Sequence, residues 1–141
     1  MDNVLPLRKK EFSFEDEIRE LIDLCKEDLV SVNTIILDKL DSNVPLVHEV
    51  GKYLILSGGK RLRPLLTVSS FHMTRNGTDE IENKMNHIGL SAAVEFIHTA
   101  TLLHDDVIDE SKQRRGKPTA NEKWKNKTSV LVGDFLFSRA F

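Results

Sequence analysis

The sequence predicts an all-α fold, and three observations carry that prediction. Apolar residues recur at steps of three and four along most of the chain, the period of one helix face. Only seven glycines and four prolines punctuate 141 residues, and they fall between segments of helical length. No run alternates apolar and polar residues convincingly enough for a half-buried strand.

The elements follow in order. Residues 1–13 read as a flexible polar lead-in. From Phe14, the residues Ile18, Leu21, Ile22, Cys25, Leu29, Val32, Ile35 and Ile36 form one apolar stripe, so a first helix is expected here. Cys25 lies in the stripe and reads as a small buried hydrophobe. Asp41, Ser42 and Asn43 are a break and cap, and Pro45 suits a first helical turn. A second helix is expected from about Pro45 to Ser57, ended by Gly58 and Gly59. Pro64 is tolerated only in a first turn, which places the start of a third helix near Arg61. That helix should reach about Arg75, with Asn76 and Gly77 closing it. Thr78 and Asp79 cap a longer fourth helix carrying Ile88, Ala92, Phe96, Leu103 and Val107 and ending near Asp109. The stretch SKQRRGKPT reads as a loop, and a last helix or helix pair starts near Thr119.

Composition limits the function. Twenty Lys and Arg against 22 Asp and Glu give a net charge of -2, so a general nucleic-acid coat is not expected. One cysteine permits neither an internal disulfide nor a cysteine zinc site within the chain. No apolar run reaches membrane-span length, and the first residues show no apolar signal core. A single cytoplasmic domain over 14–141 is expected. The last residues, LVGDFLFSRAF, are rich in large apolar side chains without a cap or polar tail. They either dock on the core or belong to a larger all-α domain of which this chain is the N-terminal part.

Two charged clusters oppose the helix dipoles. HDDVIDE at 104–110 puts four carboxylates at a helix C-terminus, where negative charge is disfavoured. Asp105 and Asp109 are also an i,i+4 like-charge pair costing about 0.2–0.5 kcal/mol. A bound cation offsets both penalties. The two residues lie about 40° apart on the helix, one turn apart along its axis, so their oxygens can converge on one ion. Oxygen ligands favour a hard cation such as Mg²⁺. His98 lies two turns up the same face. Taken alone, however, an acid run at a helix end is more often just a solvated face.

GGKRLRP at 58–64 crowds Lys60, Arg61 and Arg63 onto a helix N-terminus, where cations are disfavoured. Free N–H groups, glycines and basic side chains together suit a diphosphate. The plainer alternative is a solvent-facing basic turn. RRGKPT at 114–119 is a third cluster, in a loop. Two anion sites beside a carboxylate-bound metal point to chemistry on two phosphorylated substrates.

In GGKRLRP at 58–64, EFIHTATLLHDDVIDES at 95–111, RRGKPT at 114–119 and TSVLVGDFLFSRAF at 128–141, the chain resembles the trans-prenyltransferases, or polyprenyl diphosphate synthases, most of all the long-chain, octaprenyl-like members. DDVID matches the family's first DDxxD motif. The resemblance implies an isoprenoid synthase-type helical bundle, of which this is the N-terminal portion, and usually a homodimer. It implies that Asp105 and Asp109 hold Mg²⁺ with Asp106 in support. Arg114 would meet the allylic diphosphate, and Lys60, Arg63, His98 and Arg115 the isopentenyl diphosphate. Bulky residues four and five positions before the motif shorten the product in this family. Here Thr101 and Ala100 are small, which implies a long chain. Thr101 is one turn before Asp105 on an ideal helix, whereas Ala100 projects about 140° away, so close helix packing is its alternative role.

The family's second Asp-rich motif does not occur in these 141 residues. The chain is therefore expected to be a truncated or split portion, inactive alone or acting with a complementary second half. A partner subunit that binds diphosphate without turnover is the alternative. A weaker resemblance, of His72 and His104-Asp105 to the HD-type metal phosphohydrolases, explains neither basic cluster.

Overall fold

The computed structural model describes residues 13–57, 59, 61–74 and 85–141. Six helices run in order: α1 Phe14–Leu24, α2 Lys26–Lys39, α3 Pro45–Leu56, α4 Leu62–Thr74, α5 Asn86–Ile108 and α6 Ala120–Ala140. A hairpin of two-residue strands, β1 Gln113–Arg114 and β2 Lys117–Pro118, joins α5 to α6. The all-α architecture stands, with that hairpin as its one departure among the described residues.

α5 is the central element. It packs against α6 on one side and against α4 and α2 on others, and α3 leans on α6. Ile88, Ala92, Phe96, Ala100 and Leu103 of α5 are buried against Val32, Ile36 and Leu40, Val50, Leu65 and Val68, and Val132 and Leu136. Full burial of side chains such as Phe96 and Ile36 contributes about 1.5–3 kcal/mol each. Four of the five residues foreseen on the fourth helix behave as expected in kind. Val107, near its end, is only half-buried. The expected caps at Thr78 and Asp79, and the Asn76-Gly77 stop, lie outside the described residues, as do 1–12 of the lead-in.

The first helix is two helices. At Cys25 the backbone turns to φ -97°, ψ 6°, and α1 ends where α2 begins. Packing accounts for the division. α2 lies along α5 and buries Val32 and Ile36, whereas α1 buries no residue and touches the core only through half-buried Leu21. Cys25 at the joint is buried, as foreseen. Burial raises its thiol pKa, and the nearby Asp28 charge raises it further.

α3 starts at Pro45 and Pro64 sits in the first turn of α4, both as expected. The N-cap of α3 is Val44, whose N–H donates to Ser42 Oγ at 3.2 Å; the polar run is a break that turns the chain into the helix, and the expected side-chain cap is not made. α6 is a helix pair in effect, because Lys125 (φ 72°) kinks it after its first turn and a half. No helix among the described residues is long and apolar enough to cross a membrane.

Candidate functional site

The hairpin places the basic loop. Arg115 (φ 53°) and Gly116 (φ 74°) are its two central residues, and positive φ at both defines the type I′ turn that matches strand twist. The sequence expectation of a plain loop missed this, because RG is a weaker I′ signal than NG. Both ends of the loop are tied down. Thr119 Oγ1 and Asn121 Nδ2 donate to Ser111 O at 2.6 and 3.1 Å. Tyr53 Oη of α3 donates to Pro118 O at 2.8 Å.

This turn reaches back to the first basic cluster. A methyl group built on Gly59 would lie 2.8 Å from Arg115 Nη1, so the tip of the guanidinium lies close over the Gly59 backbone. The two basic segments, about 55 residues apart in sequence, are thus one surface. Arg61 stands inside it. Its left-handed backbone (φ 47°) costs about 1 kcal/mol. Its guanidinium offsets this by donating to Glu95 Oε1 at 2.5 Å and Ile55 O at 3.1 Å. Arg61 was expected only as one of the basic cluster, and its pairing with the buried Glu95 was not foreseen. A carboxylate on the buried face of a helix, three residues before His98, was the available signal.

The acid run divides by helix geometry. Asp106 is buried at 2% exposure and turned towards the hairpin, where Arg114 grips it. Nη2 donates to Oδ1 at 2.8 Å, and Nε donates to both carboxylate oxygens at 3.1 and 3.2 Å. The hydrogen bonds to Asp106 raise the Arg114 pKa against the opposing effect of burial, with the charges of Asp106, Asp105 and Asp109 adding to the rise. Asp105 and Asp109 are exposed and make no side-chain hydrogen bond or ion pair with any described residue. Two free carboxylates one turn apart, next to anchored cations, fit a hard divalent ion that takes its remaining ligands from phosphate and water. His104, between the core and this end, approaches Val130 O at 3.2 Å and Asp134 at 3.6 Å on α6.

A cleft lined by Arg61, Glu95, His98, Asp106, Arg114 and Arg115 joins these parts. His98 also borders a second hollow with Arg63 and Thr101. Burial holds His98 below the ordinary imidazole value and Arg63 adds to this. Glu95 pulls the other way, and Arg115 and Arg114 lower it further. Of the anticipated residues, His98, Asp106, Arg114 and Arg115 line this cleft, Arg63 meets His98 at the second hollow, and Asp105 and Asp109 are exposed at the C-terminal end of α5. Lys60 lies outside the described residues. Thr101 is exposed, its hydroxyl donating to His98 O at 2.7 Å. Ala100 is fully buried in the core, the environment of a close-packing residue. His72 lies at the other end of α5, beside His87. Eighteen residues separate His87 from Asp105, about 27 Å of helix. The HD-type arrangement is thereby excluded.

The bundle thus brings two basic turns beside a pair of aspartates that have no side-chain partner among the described residues, a charge arrangement suited to an anion and a hard cation. The polyprenyl synthetase family model matches residues 44–141, and the chain belongs to that family. It is 44% identical over 124 residues to octaprenyl diphosphate synthase of Escherichia coli (strain K12), covering 88% of this chain and 36% of the relative. The Haemophilus influenzae octaprenyl diphosphate synthase is 46% identical over 136 residues, 96% of this chain and 38% of the relative. Among solved structures, a decaprenyl diphosphate synthase from Rhodobacter capsulatus superposes with a TM-score of 0.79 at 51% identity, over 87% of this chain and 36% of that one. The chain therefore spans little more than a third of the length of these relatives.

Proposed function

We propose that this chain is the N-terminal part of a long-chain polyprenyl diphosphate synthase, which extends an allylic diphosphate with isopentenyl diphosphate. The observation that carries the reading is the convergence of the two basic turns, through Arg115 over Gly59, beside the free Asp105 and Asp109. Similarity to octaprenyl diphosphate synthases supports the long-chain product.

In this reading Asp105 and Asp109 hold Mg²⁺. The ion, when bound, neutralises the departing diphosphate as a Lewis acid. Asp106 does not share in that role directly. It fixes Arg114, whose remaining N–H groups are left to face the allylic diphosphate. Lys60, Arg63, His98 and Arg115 receive isopentenyl diphosphate. With both anions positioned, the allylic C–O bond ionises, the isopentenyl double bond attacks the cation, and a proton is lost from the adduct. The residues orient two substrates and stabilise developing charge, so no nucleophilic side chain is required. Thr101, one turn from Asp105 and exposed, borders the path of the growing chain. Thr101→Phe in an assembled enzyme shifts products to shorter chains, as read by chromatography of the dephosphorylated products. Unchanged length at normal activity removes Thr101 from that path.

The decisive experiment incubates the chain with both diphosphates and Mg²⁺, alone and with the complementary C-terminal part of such a synthase. Condensation only in the combined sample is expected. Diphosphate binding without condensation in either sample would instead assign the chain as a non-catalytic partner subunit; one relative, heptaprenyl diphosphate synthase component 2 of Geobacillus stearothermophilus, is itself named as one component of its enzyme.

A further inference from the structure

The opposite end of α5 carries a second cluster. Asp28 is in the first turn of α2, His72 in the last turn of α4 and His87 in the first turn of α5. One ligand atom from each lies within 4.8 Å of the other two. Nε2 of His72 is 2.6 Å from Asp28 Oδ2, and Nε2 of His87 is 3.1 Å from the same oxygen. Among the described residues this is the one place where three such side chains converge so closely.

The rings are oriented by packing. The His87 side chain is 7% exposed and lies flat on Phe71, with ring centroids 3.9 Å apart and planes within 1°. His72 meets both Phe71 and His87 edge-on. Ligands about 2.0–2.1 Å from a first-row divalent ion stand about 2.8–3.4 Å from one another in octahedral or tetrahedral geometry. The His87–Asp28 pair is already at that spacing. His72 is closer, but its side chain is 44% exposed and free to withdraw by a few tenths of an ångström. Two imidazole nitrogens with one carboxylate oxygen select a zinc-like ion over Mg²⁺.

We propose that Asp28, His72 and His87 form a binding site for a first-row divalent transition cation, zinc foremost, that ties α2, α4 and α5 together. The site is independent of the Asp105–Asp109 pair, which offers oxygen alone and lies at the far end of α5. Without the cation, the same three side chains hold one another through hydrogen bonds, so the site keeps its shape when empty. The cation takes the place of the hydrogen on each Nε2, and each imidazole binds as its neutral Nδ1–H tautomer.

Cobalt(II) titrated into the untagged chain, followed by its d–d absorption, tests the site. The wild type is expected to take up one Co²⁺ that Zn²⁺ displaces. His72→Gln and the isosteric Asp28→Asn are each expected to weaken binding at least tenfold. The Asp105→Asn/Asp109→Asn double variant is expected to bind Co²⁺ like the wild type. Zn²⁺ should raise the melting temperature of the wild type and not that of His72→Gln, whose half-exposed position keeps the fold intact. No stoichiometric uptake, or uptake that His72→Gln leaves unchanged, would overturn the proposal. Asp28 would then be an acceptor for two imidazoles and nothing more.

Discussion

The two ends of α5 solve opposite electrostatic problems. At the N-terminal end Asp28 has found its partners. Burial disfavours its charge, but hydrogen bonds with His72 and His87 outweigh that and hold its carboxyl below the ordinary carboxylate value. At the C-terminal end Asp105 and Asp109 face solvent without a partner among the described residues, at the negative pole of the helix. Asp106, between them in sequence, behaves like Asp28: it is buried and gripped by a cation. Asp28 and Asp106 are thus paired within the fold, whereas the unpaired Asp105 and Asp109 are the two that the proposed function reserves for Mg²⁺.

The comparison breaks most visibly through Asp105→Asn with Asp109→Asn. In an assembled enzyme this is expected to lower Mg²⁺-dependent condensation by a hundredfold or more. Melting temperature should hold or rise slightly, since a repulsion of about 0.2–0.5 kcal/mol is relieved. Wild-type turnover in the double variant would show that these carboxylates are merely solvated.

The paired acids should respond in the opposite sense. Asp28→Ala, measured by urea unfolding with a chelator present, is expected to lose about 1–3 kcal/mol, because two imidazole hydrogen bonds go with the carboxylate. Asp106→Ala is expected to cost somewhat less, about 1–2 kcal/mol, since the Arg114 side chain is 40% exposed and can turn to water instead of staying buried and unpaired. Its second effect separates it from Asp28: the apparent affinity for an allylic diphosphate should weaken as Arg114 loses its anchor. Equal stability in Asp106→Ala and wild type would dissolve the distinction between paired and free acids.

The smallest effect is a titration. The His98 imidazole is held below 6.5, first by burial and then by Arg63. As the pH falls through 6.5 the unfolded chain takes up this proton before the folded one does. Stability should therefore be undiminished by His98 above that pH and decline below it. Inorganic pyrophosphate bound among Arg63 and Arg115 should reverse the shift and raise the His98 pKa. Proton NMR of the imidazole with and without pyrophosphate reads this directly. An unmoved titration would place the diphosphate elsewhere.

Much of this was legible in the amino-acid order. The helix start at Pro45 and the one just before Pro64 followed from the fixed φ of proline, and the core face of α5 from the period of Phe96, Ala92 and Ile88. The Asp105–Asp109 pair was visible because an i,i+4 spacing is local, and local geometry is written in sequence. The break at Cys25 was not, since the apolar stripe continues through it unchanged. Only the unequal packing of α1 and α2 against α5 separates the two helices. The pairing of Asp106 with Arg114, the cover of Gly59 by Arg115 and the meeting of Asp28 with His72 and His87 were equally unreadable. Each joins residues through a turn or across different helices, where the distance is set by how the helices pack. The sequence by itself determined the helices, their apolar faces and the motifs that mark the family. Tertiary structure alone decided which carboxylates are satisfied and which stay open, because a charge's partner depends on what the fold brings within about 3 Å of it.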